Sequence, residues 1–214
     1  MIDRKFKMES LAAFGIIPID YASLRASYPS LKALEDKVCN LEKKGTIIRL
    51  KRGLYIVSPA VSKREVSVEL IANHLYGPSY VSKESALRFY GLIPERVYNS
   101  VSMTIKRRQR FRNYFGQFDY ISCPAGYYSI GIRQVIRDDH AFLIASPEKA
   151  LCDQLVYTPK LQLRSVKALL TYLEEDIRFD MDEFYKMDVS IFEQCVGRSK
   201  KKDTIDHVIK LLKQ

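Results

Sequence analysis

Residues 20–57 read DYASLRASYPSLKALEDKVCNLEKKGTIIRLKRGLYIV, and this stretch decides the fold of the N-terminal part of the chain. A first helix from Asp20 to Ser27 puts Tyr21, Leu24 and Tyr28 on one side, and Pro29-Ser30 breaks it, with Ser30 placed to cap the next. In the second helix Leu31, Leu34, Val38 and Leu41 follow a three-four spacing and form a packing face. Lys32, Ala33, Asp36, Lys37 and Asn40 lie opposite, and Gly45 supplies the stop. Ile47, Ile48, Tyr55, Ile56 and Val57 then flank the turn Leu50-Lys51-Arg52-Gly53. They read as a hairpin, although the apolar alternation is poor. Helix, turn, helix and hairpin in this order predict a winged helix-turn-helix, whose second helix offers its free face to a major groove. Ser30, Lys32, Ala33 and Lys37 are the candidates to meet base edges, and Arg49, Lys51 and Arg52 the candidates to meet phosphates. Glu35 and Asp36 oppose this, since acids on such a face repel phosphates unless neutralised, as Lys32 could do for Asp36. The plainer alternative is an ordinary solvated helix and hairpin.

Charge agrees with an anionic partner. The 214 residues carry 35 basic against 25 acidic side chains, a formal net charge of +10. Residues 1–60 hold 11 basic and 6 acidic groups, residues 61–145 hold 12 and 7, and residues 146–214 hold 12 and 12, so the surplus lies wholly in the first two segments. Cys39, Cys123, Cys152 and Cys195 are widely spaced and form no Cys-x-x-Cys pair, a pattern expected of reduced thiols and a cytoplasmic protein. His74, His140 and His207 show no ligand spacing, so no metal site is expected. Leu11–Ile19 is apolar, but Gly15 and Pro18 interrupt it and no small-x-small site follows, which argues against a signal peptide. Ile2, Phe6, Leu11 and Phe14 instead suggest a helix packed beneath the second one. No stretch approaches the roughly 20 apolar residues a bilayer span needs, so no membrane partner is expected.

A second unit is expected from residue 61, dividing the chain into a DNA-binding domain at 1–60 and an α+β domain at 61–214. Ser62-Lys63-Arg64-Glu65 reads as a capping box for a helix through Val66, Leu70, Ile71 and Leu75. Extended residues at Tyr80-Val81 and a helix from Lys83 to Tyr90 follow. Strand patterns at Val97–Ile105, Phe118–Ser122, Ile130–Ile136 and Ala141–Ala145 predict a small, mostly antiparallel sheet. Ser146-Pro147-Glu148 opens a helix, and further helices are expected at 165–176, 182–186, 189–196 and 204–212. Between the first two of these strands, Lys106, Arg107, Arg108, Arg110 and Arg112 put five cations into seven residues around Phe111. This segment is either an arm that grips nucleic acid or an acidic partner, or a charged strand end that prevents edge pairing.

The series Leu41-Glu42-Lys43-Lys44-Gly45, Ile48–Tyr55, Tyr80–Leu87 with Tyr90-Gly91-Leu92, and Ser146–Asp153 resembles, in order and spacing, the AbiEi family. These are the antitoxins of type IV toxin-antitoxin and abortive-infection (phage-defence) systems. The resemblance implies a transcriptional regulator that binds inverted repeats in its own operator through the winged helix. It also implies a C-terminal region that counters a nucleotidyltransferase-like toxin, with or without binding it directly. It supports phosphate contacts for Lys51 and Arg52. No catalytic residue and no cofactor are expected, because the chain has no Gly-Ser dipeptide, no Gly-Lys pair and no Gly-x-Gly turn. Two alternatives remain at this point. One is a metal-dependent nuclease using Asp138-Asp139-His140 or Glu148-Lys149 with Asp153, and the other is a winged-helix adaptor that binds protein.

Overall fold

The computed structural model describes residues 11, 13–28, 33–94, 99–137 and 140–213. The candidates Ser30 and Lys32, the expected helix at Ile2 and Phe6, and Asp138-Asp139 lie outside them. The chain is a mixed α+β protein with two sheets.

The first sheet is three-stranded and antiparallel in the order β1-β3-β2: β1 is Ile19–Asp20, β2 Ile47–Lys51 and β3 Leu54–Val57. Between β1 and β2 run helices α1 (Tyr21–Ser27) and α2 (Leu34–Lys43). Asp20 caps α1 by accepting the Ser23 N–H at 2.7 Å, and this also holds its carboxyl below the usual range. Helix α2 ends as expected at Gly45, at φ +64°, where the Gly45 N–H donates to Glu42 O and the Thr46 N–H to Leu41 O. That pair of bonds is the Schellman stop, which a left-handed glycine makes cheap.

The weak alternation of the hairpin has a physical cause. All four residues of β3 are buried, because the hairpin separates two apolar clusters. Ile47, Tyr55 and Val57 pack with Leu24, Leu34, Val38 and Leu41. Leu50, Leu54 and Ile56 pack instead into the larger core of the remaining chain. A strand buried on both faces has no solvent side to mark with polar residues. Burial of Ile56 and Val57, both 0 % exposed, contributes on the order of 1.5–3 kcal/mol each.

After the short helix α3 (Pro59–Ser62), helix α4 runs from Val68 to Leu75. The capping box expected at Ser62 is therefore displaced. The Ser67 hydroxyl accepts the Leu70 N–H at 3.1 Å, whereas Ser62 closes α3 ahead of the left-handed Lys63. The second sheet has the order β6-β7-β5-β4-β9-β8. Its strands are β4 (Ser79–Val81), β5 (Asn99–Thr104), β6 (Gln109–Asn113), β7 (Gly116–Ser122), β8 (Ile132–Arg137) and β9 (His140–Ala145). The β5–β7 and β4–β9 pairings are parallel and the other three antiparallel, so the sheet is mixed. Helix α5 (Lys83–Phe89) follows β4, and α6 (Ala125–Tyr128) follows β7.

Helix α7 (Pro147–Tyr157) starts where the sequence places it, with the Ser146 hydroxyl accepting the Lys149 N–H. It is buried from Glu148 to Val156, between α5 and β9 on one side and the last helices on the other. Those are α8 (Val166–Thr171), which continues into a π-helical turn at Tyr172–Asp176, then α9 (Met181–Phe184), α10 (Val189–Val196) and α11 (Lys202–Leu212).

Candidate nucleic-acid interface

Helix α2 turns Leu34, Val38 and Leu41 inward and leaves Glu35, Asp36, Cys39, Asn40 and Lys43 exposed. Of the sequence candidates, Ala33 is exposed at the start of the helix, where among the described residues no side chain caps the free amides. Lys37 stands on the flank, half-buried, with Nζ 5.7 Å from the centre of the Tyr28 ring. The outermost positions are Asp36, Cys39, Asn40 and Lys43. The last two of these repeat at i and i+3; the sequence candidates fall in the first half of the face because the N-terminal residues of a groove-entering helix are those expected to meet base edges.

The hairpin stands beside this helix. Arg49 pairs with Glu42 of α2 and lies over the Tyr55 ring at 5.7 Å. The Glu42 bond is the chief reason its guanidinium is held more firmly charged than usual. Arg52 is exposed at the turn, where Gly53 takes φ +76° and its carbonyl accepts the Tyr21 N–H. Tyr21, Glu35, Cys39, Arg49, Arg52 and Tyr55 line a cleft of about 390 Å³ between helix and hairpin.

Lys51 is placed differently from the expectation of a surface cation. Its ammonium donates to Leu75 O at the carboxyl end of α4 and stands 5.7 Å from the Phe111 ring. Burial, and then the charge of Lys106, lowers its pKa. A cation at the last carbonyls of a helix also meets the negative end of its dipole. Lys51 thus ties the hairpin to the second unit.

The cationic segment 106–112 adjoins the same hairpin. Its residues 109–113 form β6, an edge of the six-stranded sheet, and the Asn113 amide donates to Leu50 O of β2 at 3.2 Å. Lys106 donates to Gly77 O and lies over the Tyr76 ring at 5.3 Å, and Arg110 pairs with Asp119. Arg107, Arg108 and Arg112 are exposed and, among the described residues, form no ion pair. The segment therefore adjoins the hairpin through Lys106, Phe111 and Asn113, while Arg110 and Arg112, which alternate with Phe111 and Asn113 along β6, face the other side of the sheet. Neither a family model nor a curated protein matches the chain.

The described carboxylates considered for metal chemistry, Glu148 and Asp153, sit elsewhere and are buried. Asp153 is 0 % exposed; its Oδ1 is 3.1 Å from Lys149 Nζ, and its Oδ2 accepts from the Ser82 hydroxyl at 2.6 Å and the Tyr80 hydroxyl at 3.0 Å. Lys149, also 0 % exposed, donates to Tyr127 O at 3.0 Å and covers the Tyr127 ring. Burial, together with the Asp153 charge, drives the Tyr80 hydroxyl well above its ordinary pKa. Gly131, at φ +58°, lets this cluster close, since a Cβ there would stand 2.8 Å from Lys149 Cβ. Glu148 accepts from the Asp188 N–H and faces Arg133 at 3.9 Å. Tyr80, Ser82, Lys149 and Asp153 come from two of the segments behind the AbiEi resemblance. Here they join the central strand β4 to α7.

Proposed function

We propose that this protein is a DNA-binding autorepressor and the antitoxin of a type IV toxin-antitoxin pair, acting in the cytoplasm against a nucleotidyltransferase-like toxin. The observation that carries the DNA-binding half is the exposed outer face of α2 beside the cationic turn of β2–β3. Behind them a β1-β3-β2 sheet closes the unit. This is the order and pairing expected of a winged helix-turn-helix, with the second helix as the groove-entering element. Arg107 and Arg108, exposed in the loop next to Lys106, whose charge is felt at Lys51, add cationic charge near the hairpin and support an anionic partner. The antitoxin half rests on the sequence resemblance.

The buried, internally bonded Asp153 weighs against the nuclease alternative, since a metal-dependent carboxylate must reach its substrate. The adaptor alternative would be marked by full function with Lys51 and Arg52 neutralised. The test has two parts. The purified protein should bind duplex DNA from upstream of its own gene with steep salt dependence, and co-expression should relieve the toxicity of the neighbouring reading frame. Salt-insensitive or absent binding refutes the first half, and unrelieved toxicity the second.

A further inference from the structure

A helix that lies in a groove meets base edges only with the side chains opposite its packing face. At 3.6 residues per turn, the inward direction of Leu34, Val38 and Leu41 puts Asp36 and Lys43 directly opposite and Cys39 and Asn40 outward about 50° to either side of them, with Glu35, Lys37 and Glu42 farther round on the flanks. Two flanking charges are already engaged within the fold, Lys37 with the Tyr28 ring and Glu42 with Arg49. The four outward side chains differ in what they offer a base pair. Asp36 only accepts, Lys43 only donates from a point charge, and the Cys39 thiol bonds weakly. Asn40 alone presents a donor and an acceptor in one plane, the pattern complementary to N6 and N7 of adenine in the major groove. It is exposed, and among the described residues its amide makes no hydrogen bond within the protein that would hold it back from DNA.

We infer that Asn40 is a specificity-determining residue that selects an A·T pair through its side-chain amide, from the middle of α2 rather than from its first turn. This rests on the DNA-binding function proposed above. The first turn is unsuited to the task because Glu35 and Asp36 bring two negative charges there, whereas Asn40, Lys43 and Lys44 leave the second half neutral to positive. Arg49, held by Glu42, sets the hairpin beside that half.

The experiment enriches a randomised duplex pool on the full-length protein and then measures affinity for the best duplex and its single base-pair substitutions. The wild type should demand A·T at one fixed position. Asn40→Ala should flatten the preference there by roughly 5- to 150-fold and leave the other positions intact. Lys37→Ala should leave that preference unchanged. A second measurement needs no variant: Cys39 shares the outward face, so bound duplex should protect its thiol from maleimide. Full discrimination retained by Asn40→Ala at every position, or a Cys39 equally reactive in the complex, overturns the role of Asn40 while DNA binding stands. A wild-type protein that enriches no duplex overturns the DNA-binding function itself, and this inference with it.

Discussion

Lys51 offers the sharpest test of how the cationic surface works. The KRG turn of the sequence nominates it as a phosphate ligand, yet its ammonium is bonded to Leu75 O and covers Phe111. Lys51→Met keeps the stem and removes the charge. The change strips Leu75 O of a charge-assisted partner, which costs about 1.5–3 kcal/mol. Relief of the burial penalty and of the Lys106 repulsion returns part of that, leaving a net loss of about 1–2 kcal/mol. For a chain of this length each kcal/mol shifts Tm by roughly 2–4 °C. DNA affinity should fall too, because the hairpin loses its tie to the second unit. The slope of log K against log salt should nevertheless hold, since a true phosphate contact contributes about 0.9 to it. Arg52→Ala should do the reverse, lowering the slope by about 0.9 with little change in Tm. Salt titrations of binding paired with thermal melts of both variants read these quantities. A Lys51→Met protein of wild-type stability whose salt slope drops as far as that of Arg52→Ala would refute the assignment.

Other expectations follow from the buried groups. Asp153→Ala leaves Lys149 charged and unpaired at 0 % exposure and should cost about 3–5 kcal/mol in denaturant unfolding. Tyr80→Phe, which removes one bond to the same carboxylate, should cost only about 1 kcal/mol. Burial raises the pKa of Tyr80, Tyr120, Tyr127 and Tyr157 above the ordinary 10.0. Their stabilisation is complete below pH 10 and is lost as pH climbs toward the raised values, so tyrosinate absorbance should appear together with alkaline unfolding, not in a separate titration near 10. Cys39 is exposed, whereas Cys123, Cys152 and Cys195 are buried, and burial pushes the Cys123 thiol up to about 12. Maleimide should therefore label Cys39 in the folded protein and the other three only in denaturant, as mass spectrometry of timed reactions would read.

What the sequence made legible was local. Gly45, the Ser146-Pro147-Glu148 helix start and the hairpin turn at Gly53 each depend on a few adjacent residues whose backbone preferences agree. The displaced start of α4 shows where that logic fails. Ser62 and Ser67 both precede helix-forming residues with a nearby glutamate, and it is the packing of Leu70, Ile71 and Leu75 into the large core that selects Ser67. The mixed character of the sheet is nonlocal in the same way. The strand β6 lies in the cationic segment, where the sequence shows no strand pattern, and its antiparallel turn returns β7 alongside β5, so that β5 and β7 run parallel and β6 is left at the edge. That arrangement brings Phe111 and Asn113 of β6 beside the β2–β3 hairpin.

The candidate surface carries a related lesson about charge. Counting cations treats each as available, but an ammonium or guanidinium that has found an internal partner has part of its field and at least one donor occupied. Among the described residues nominated from sequence, Lys37, Arg49, Lys51, Lys106 and Arg110 are each engaged with a ring, a carbonyl or a carboxylate. Arg52, Arg107, Arg108 and Arg112 remain exposed. Nine phosphate contacts from these groups would give a salt slope of about 8, and four give about 3.6. On the proposed function, the engaged cations help build the surface and the unengaged ones are the ones free to meet phosphates. Net charge alone cannot separate the two roles, because the separation is made by partners such as Leu75 O, which lies 24 residues from Lys51 in the chain.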